Sequence, residues 1–398
     1  MENSFIFDQV TPFRNDYACV RIGDKWGIIE RNGYWVIKPK YDYLSAIAQD
    51  LFIMQNNNKY GVMDITENII IPSKFDMLKS FTYKPYDNYL IAAKNNKYGI
   101  INLKGESVIP FEYEYISTKS TLYFLAVKDG KYGAIDINNN VIVPFEYDSE
   151  LILGKDFVIG GKYKCIVEND EVQSYILYGI TDYNSNNLIL FEYKELKPFG
   201  ENKNIAEYSL SDLTFSVKKQ NDKFIIVNGD NKQICEQEFE HITPESIKVY
   251  SARINGKDCA IDKFGNIKIP TGKYENIYCF IDMNENECVA VAMNENFEEC
   301  LINQNGEIII PFGAGYKTGG FMYTRDNTIL MQKNNKFGVI DINNNIIVPF
   351  IYDWIYYEGK EKYSGANIDD KWGYINGNGT PLYIKTKDEI DNGQLKLV

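Results

Sequence analysis

Polar and apolar residues alternate with a period of two in short runs, and no segment sustains a helical period. Val339-Ile340-Asp341 typifies such a run. A β-branched stretch follows each one, as in Val108-Ile109, Val141-Ile142-Val143, Ile308-Ile309-Ile310 and Ile346-Ile347-Val348. Between the two lie turn residues: Asn32-Gly33, Lys104-Gly105, Phe264-Gly265, Asn305-Gly306 or a string of asparagines. Asn and Gly tolerate the positive φ that tight hairpins demand. The β-branched stretch runs into Pro39, Pro72, Pro110, Pro144, Pro270, Pro311 and Pro349, whose missing N–H is expected to end the strand. An aromatic-acidic pair then opens another extended segment: Tyr41-Asp42, Phe75-Asp76, Tyr113-Glu114, Tyr147-Asp148, Tyr274-Glu275 and Tyr352-Asp353. One more strand, such as Tyr89–Ala93, completes the unit. The pattern predicts three or four short strands per unit and an all-β chain.

The units repeat from one end of the sequence to the other. Each begins at Lys25-Trp26-Gly27, Lys59-Tyr60-Gly61, Lys97-Tyr98-Gly99, Lys131-Tyr132-Gly133, Lys336-Phe337-Gly338 or Lys371-Trp372-Gly373. Residues 130–148 and 335–353 are nearly the same text. Anchoring on the glycine or its replacement gives Gly27, Gly61, Gly99, Gly133, Gly179, Ile225, Cys259, Cys300, Gly338 and Gly373, ten copies at intervals of 34 to 46 residues. The longest intervals fall within residues 134–225, where Gly161-Lys162-Tyr163 offers a rival phase to Tyr178-Gly179. Such periodicity defines a repeat architecture, in which neighbours stack to bury what one unit cannot. Phe5–Phe13 matches the back half of a repeat, and the last copy lacks that half after Pro381–Ile384. The offset either joins the two ends or caps an open array.

The Lys-Trp-Gly and Lys-Tyr-Gly units, with Ile-Pro and Tyr-Asp downstream, resemble the WG-type (KWG) repeat family of bacterial proteins over nearly the whole chain. The resemblance implies a β-rich repeat scaffold with no defined activity; copies five to eight depart from it. We expect one β-repeat domain over residues 1–398, regular in 1–148, irregular in 149–246, and regular with a cap in 247–398. The expected architecture is a tandem array of about ten three- to four-stranded repeats. An open curved β-solenoid or superhelix is the first reading, and a β-propeller-like ring the alternative.

The motif residues have structural explanations. The aromatic before the glycine supplies a large apolar body to seal the joint between units. The glycine admits close approach of another backbone, or a positive φ. Its replacement by Ile225 and Cys259 favours close approach, because a β-branched residue strongly disfavours positive φ. The acid after the tyrosine is placed to accept a turn N–H or to pair with the motif lysine.

Composition narrows the function classes. Hydrophobic content of 44% with 14% aromatic residues supplies a core and excludes disorder. A net charge of −13, with no basic run, argues against nucleic acid as partner. No stretch of 18 apolar residues and no signal peptide is visible, so no membrane partner is expected and the compartment is read as cytoplasmic. The seven cysteines (Cys19, Cys165, Cys235, Cys259, Cys279, Cys288 and Cys300) are odd in number and have no CxxC spacing, which suits free thiols.

No catalytic constellation stands out. His241 is the one histidine, and a nucleophilic pair would need Cys235 or Cys259 brought to it in space. Asp136–Asn140 and Asp341–Asn345 begin like calcium loops, but Val141 and Tyr147, and Ile346 and Tyr352, occupy the positions of the required Gly and Glu. They read as hairpin turns. Gly313–Gly320 lacks Gly directly before Lys317, so it reads as a long inter-strand loop and not a phosphate cradle. No cofactor or metal is expected. Trp35, Trp354, Tyr356 and Tyr357 depart from the repeat average and are the candidate partner-binding residues. The expected function is a non-enzymatic, protein-binding repeat scaffold with an acidic surface. The alternatives are a hydrolase-type enzyme sited in the degenerate middle copies, or a carbohydrate-binding module. Binding of a small molecule is left open.

Overall fold

A computed structural model describes the chain apart from residues 1–3, 15, 48–49, 82–87, 119–122, 169–170, 201–204, 318–322, 326, 360–361 and 385–398. The described residues form ten small antiparallel sheets, one per repeat, and nearly all the regular structure is strand. Residues 1–111 with 317–398 make one compact unit and residues 112–316 another.

The first unit contains sheet 1 (Gln9–Val10, Tyr17–Ile22, Lys25–Glu30, Trp35–Tyr41), sheet 2 (Tyr43–Ala46, Leu51–Asn56, Lys59–Asp64, Ile69–Phe75) and sheet 3 (Met77–Ser80, Tyr89–Lys94, Lys97–Asn102, Ser107–Tyr113). It also contains sheet 9, built on Thr328–Lys333, Lys336–Asp341 and Ile346–Tyr352, and sheet 10 (Trp354–Tyr356, Ser364–Ile368, Lys371–Ile375). The second unit holds sheets 4 to 8, built around Lys131–Ile135, Glu171–Thr181, Phe224–Asn228, Lys257–Ile261 and Glu299–Asn303. Apart from sheet 10, the strands of each sheet pair as meanders, two strands before the Lys-aromatic-Gly motif joining those that begin with it. The all-β repeat reading holds in its blade-like alternative, because the strands form separate small sheets.

The half-repeat offset completes sheet 10. Phe5–Phe7 pairs with Lys371–Ile375, and Phe7 faces Trp372 just as Tyr41 faces Trp26 in sheet 1. The other half of that outer strand comes from the far end of the sequence, where Ile375 bridges Pro381.

The motif glycine is explained by its neighbour. In sheet 1 Trp26 faces Tyr41 and Ile28 faces Ile37, so a step of two residues on one strand is matched by four on the other. The surplus is a bulge centred on Pro39, pressed against Gly27. A Cβ on Gly27 would lie 2.5 Å from Ile37 O and 2.8 Å from Pro39 N. Gly99 and Gly179 are crowded in the same way by Ile109 O and Ile189 O, at 2.6 and 2.8 Å. None of these glycines has positive φ.

The proline therefore does not end the strand in the regular copies. Strands Trp35–Tyr41, Ile69–Phe75, Ser107–Tyr113, Val141–Tyr147 and Ile346–Tyr352 all run through it. Lacking an N–H, the proline suits the unpaired bulge. Where a side chain replaces the glycine, the expected stop does occur. Opposite Cys259 the outer strand ends at Ile269, and opposite Cys300 it ends at Ile310. Opposite Ile225 only isolated bridges remain.

Two turn types join the strands. Between second and third strands lie two-residue turns with both φ positive, as at Asn57-Asn58, Asn95-Asn96, Asp129-Gly130, Asn255-Gly256 and Asp369-Asp370. Their mirror-image twist matches that of the flanking strands. Between third and fourth strands an Asp or Asn side chain closes the turn. Asp136 Oδ1 accepts from the N–H groups of Asn138 and Asn140, and Asp341 Oδ1 does the same with Asn343 and Asn345. The carboxylates of the calcium-like loops are thus hairpin-turn acceptors. The irregular interval arises from the 11-residue strands Val158–Glu168 and Glu171–Thr181. Gly179 holds the motif position, since Tyr178 faces Tyr193. Tyr316-Lys317, expected in a loop, forms a short strand of sheet 9, and Thr318, Gly319 and Gly320 lie outside the described residues.

Candidate functional site

The conserved grammar of the repeat is used between sheets. Tyrosines of the aromatic-acidic pair reach forward to the next sheet: Tyr41 Oη donates to Glu67 Oε1 at 2.7 Å, Tyr193 Oη to Asn231 Oδ1 at 2.8 Å and Tyr352 Oη to Gly379 O at 2.9 Å. The acid that follows reaches both ways. Asp353 pairs with Lys336 at 2.6 Å and accepts the Asp369 N–H at 2.9 Å. Lys25–Asp42, Lys59–Asp76 and Lys131–Asp148 repeat the pairing. Lys371 makes it with Asp8, which also accepts the Gly23 N–H at 2.6 Å. The adjacent lysines hold the carboxyls of Asp8, Asp76 and Asp353 below the usual aspartate range. Each such exposed pair contributes little alone, since water screens it, but recurrence at successive joints fixes their register.

Aromatic contacts seal the joints. Trp26 meets Tyr43 of the next sheet edge-on at 6.1 Å, and Phe337 meets Trp354 at 4.7 Å. The joint between sheets 10 and 1 differs. There Gln9 stands where Tyr43 and Trp354 stand, directly after the paired acid. Trp372 instead stacks on Tyr356, with ring centroids 5.0 Å apart and planes 8° from parallel.

A second departure makes room for that stack. In each second strand one residue precedes the partner of the motif glycine or its replacement. In nine sheets it carries a side chain: Cys19, Ile53, Ile91, Leu125, Ile159, Ser216, Ser251, Val291 and Leu330. In sheet 10 it is Gly365. Tyr356 is the cross-strand neighbour of Gly365, so its ring lies over the bare backbone and reaches Trp372. The result is a groove of about 620 Å³, with Tyr356, Trp372, Gly365, Glu358, Arg21 and Gln9 among its walls. Tyr356 is 55% exposed. Arg21 donates to Gly23 O at 3.2 Å, and its buried Nε has no partner among the described residues. Below the groove Tyr374 is fully buried and donates to Thr11 O at 2.7 Å, which fixes the Gln9–Pro12 wall.

Of the four residues predicted from sequence, Tyr356 lines this groove. Trp354 packs between Phe337 and Tyr356. Trp35 meets Phe7 edge-on at 5.9 Å, and Tyr357 is buried in the core of sheets 9 and 10. Gly365, Trp372, Arg21 and Gln9 were missed. The available signal was Gly365, a glycine six residues before the motif lysine where other copies have Cys19, Ile53, Ile91, Leu125, Ser251 or Leu330.

The other candidates are placed as follows. His241 is exposed, with Nε2 3.1 Å from the Thr243 hydroxyl and its ring edge against Phe224. All seven cysteines are free; Cys19, Cys259, Cys288 and Cys300 are buried, and Cys165 is exposed. Burial pushes the Cys19 thiol up to about 12 and the Cys259 thiol up to about 11. In the irregular middle, a cavity of about 470 Å³ is lined by Glu192, Tyr193, Lys219 and Ile225. One of about 270 Å³ includes Glu150 and Glu195, the latter ion-paired with Lys218 at 3.4 Å. Among the described residues no group of three or more His, Cys, Asp or Glu could hold a metal ion, and no helix is long and apolar enough to cross a membrane.

Ten small sheets, joined by a tyrosine and a Lys–Asp clasp repeated along the chain, define a β-repeat protein of blade-like sheets. The model of the WG containing repeat matches residues 4–26, 26–60, 60–98, 98–120, 132–149 and 337–372, so the WG repeat occurs six times along the chain. No curated protein matches it in sequence. Among solved structures it is similar to a eukaryotic initiation factor, with 13% identity, 82% of this chain and 93% of that one covered, and a TM-score of 0.46. It is also similar to the Dos1 propeller (13% identity, 75% and 91% covered, TM-score 0.36). The β-propeller domain of the trilobed protease from Pyrococcus furiosus gives 15% identity, coverage of 68% and 97%, and a TM-score of 0.30.

Proposed function

We propose that the chain is a non-enzymatic scaffold that binds a protein partner. One observation carries this reading. The residue at the head of the outer strand is apolar and exposed in five of the sheets: Ile69, Val141, Ile267, Ile308 and Ile346 are each between 49% and 58% exposed, whereas Ser107 and Asn187 hold the position in two others. A single exposed isoleucine is ordinary. Recurrence at one position of the repeat offers apolar side chains of the kind with which repeat proteins build binding surfaces. The repeat's own polar residues are engaged between sheets, so they do not account for these side chains. The net charge of −13 would favour a basic partner through faster encounter.

The test is affinity capture from the native cell with the wild-type chain and with Ile69→Ser, Ile346→Ser and the double variant. A partner recovered by the wild type and lost stepwise in these variants, at unchanged melting temperature, supports the scaffold. Equal recovery by all four chains removes the exposed row from the account.

A further inference from the structure

We propose that the groove between sheets 10 and 1 is a binding subsite for a neutral saccharide, one pyranose ring packing on the Tyr356–Trp372 platform. The inference is independent of the protein-binding reading, since it uses different residues.

Three features converge at this joint, and one of them, Gly365, is found in no other sheet. Gly365 removes a side chain present in the nine other sheets. At Gln9 there is no aromatic of the kind that faces Trp26 and Phe337, a lack shared with Met77, Ser149, Glu195 and Asn276 in other sheets. Tyr356 stands where sheets 2, 4 and 7 have Ser45, Ser117 and Thr243, sheets 3 and 6 have Lys79 and Lys197, and sheet 8 has Tyr278. Each change alone would weaken the packing of the joint. Together they create an open volume beside a flat aromatic surface, and a break in the repeat that opens such a volume marks a site.

The chemistry of the walls selects the ligand. An aromatic face is electron-rich, and the C–H bonds on one side of a pyranose present slight positive charge to it. The face is apolar and the rim is not. Glu358 offers acceptors, Arg21 offers guanidinium donors, and Gln9 offers both. A ring bearing hydroxyls around its edge needs this mixture of donors and acceptors. The formal charges of the walls balance: Asp8 is paired with Lys371, and Arg21 and Glu358 are one of each sign. The groove therefore carries no excess charge with which to select an acidic sugar, a phosphate or a cationic side chain. A volume of about 620 Å³ lies within the usual range of small-ligand clefts, about 300–1,000 Å³.

The experiment is isothermal titration of the full chain with neutral oligosaccharides (cello-, malto-, xylo- and chito-oligosaccharides), alongside polygalacturonate and heparin. Two variants accompany it. Tyr356→Ala removes the exposed half of the platform, and Gly365→Ile restores an aliphatic side chain of the kind that Ile53, Ile91 and Ile159 supply in other sheets. A Cβ at Gly365 would lie 3.0 Å from the tip of Val10, which a small rotation of that side chain relieves. The expected result is binding of at least one neutral series, quenching of tryptophan fluorescence, and about a tenfold or greater loss of affinity in each variant. Circular dichroism should leave both variants folded; should Gly365→Ile unfold, Tyr356→Ala alone decides. Failure of every neutral series at millimolar concentration overturns the proposal, as does binding undiminished in Tyr356→Ala or confined to the polyanions. Loss of captured protein in these groove variants, without saccharide binding, overturns it as well and assigns the groove to the protein partner.

Discussion

Gly27→Ala is the most direct test of why the motif contains glycine. The added Cβ would meet only backbone: Ile37 O at 2.5 Å, Pro39 N at 2.8 Å and Lys38 C at 3.0 Å. No side-chain rotation relieves this, so the bulged strand must move outward by several tenths of an ångström. Overpacking of this kind costs about 1–3 kcal/mol. The moving segment carries Tyr41, whose hydroxyl donates to the Glu67 carboxylate at 2.7 Å, a bond to a charged acceptor worth about 1.5–3 kcal/mol. If the strand yields enough to break that bond, the two effects together reach about 2.5–6 kcal/mol. Gly23→Ala is the matched control. It also adds one methyl, nothing lies within 4 Å, and its φ of +59° makes the cost a conformational one of about 1–2 kcal/mol. The assay is denaturant unfolding of both variants, with native-state hydrogen exchange of the amides in Lys38–Ala46 reporting local opening. The reasoning is refuted if Gly27→Ala costs no more than Gly23→Ala, or if exchange in Lys38–Ala46 is unchanged.

Three further outcomes follow from the joints and the thiols. Asp8, Asp76 and Asp353 have folded-state pKa values below the ordinary 3.8 because of Lys371, Lys59 and Lys336. Their stabilisation is therefore complete above about pH 4 and is lost as pH falls through the lowered values, so acid titration should lower the melting temperature in that window, less so in Lys371→Met. Tyr352→Phe should cost about 1 kcal/mol in denaturant unfolding, because the buried Gly379 carbonyl loses its donor. A thiol reagent at pH 8 should label Cys165 rapidly in the native protein and Cys19, Cys259, Cys288 and Cys300 only on unfolding, which peptide mapping by mass spectrometry checks.

The sequence made much of the architecture legible because the repeat is dominated by local signals. The Lys-aromatic-Gly motif, the turn residues and the Tyr-Asp pair all lie within a few residues of what they organise. The offset between Phe5–Phe13 and the last copy left joined ends and a capped open array as alternatives, and residues 5–7 do pair with sheet 10. The role of Pro39 and its counterparts was misread. A missing N–H tells that a ladder bond is absent, but not whether the strand resumes beyond it; that depends on Gly27 across the sheet, a non-local fact. The two-residue turns at Asn57-Asn58 and Asn95-Asn96 were overlooked although their signal stood directly before each lysine. The groove was harder still. Tyr356 attracted notice as an aromatic, whereas Gly365 and Gln9 contribute by what they lack, and an absence is visible only against aligned copies.

Sheet 10 draws its outer strand from segments about as far apart as the chain allows: Lys371 and Asp8 are separated by 363 positions. Closing a loop of that size from an unfolded chain costs about 5 kcal/mol in entropy, against about 3 kcal/mol for a loop of some 26 residues such as the one spanned by Tyr41 and Glu67. Sheets with local pairing should therefore assemble first, and sheet 10 should zip last, by a slow step of high contact order. During synthesis Phe5–Phe7 has to wait, unpaired, until Lys371–Ile375 emerges. The groove borders that late seam, so it comes into being only when the folding of this unit is finished, and a molecule held there would act as a latch on the closed state.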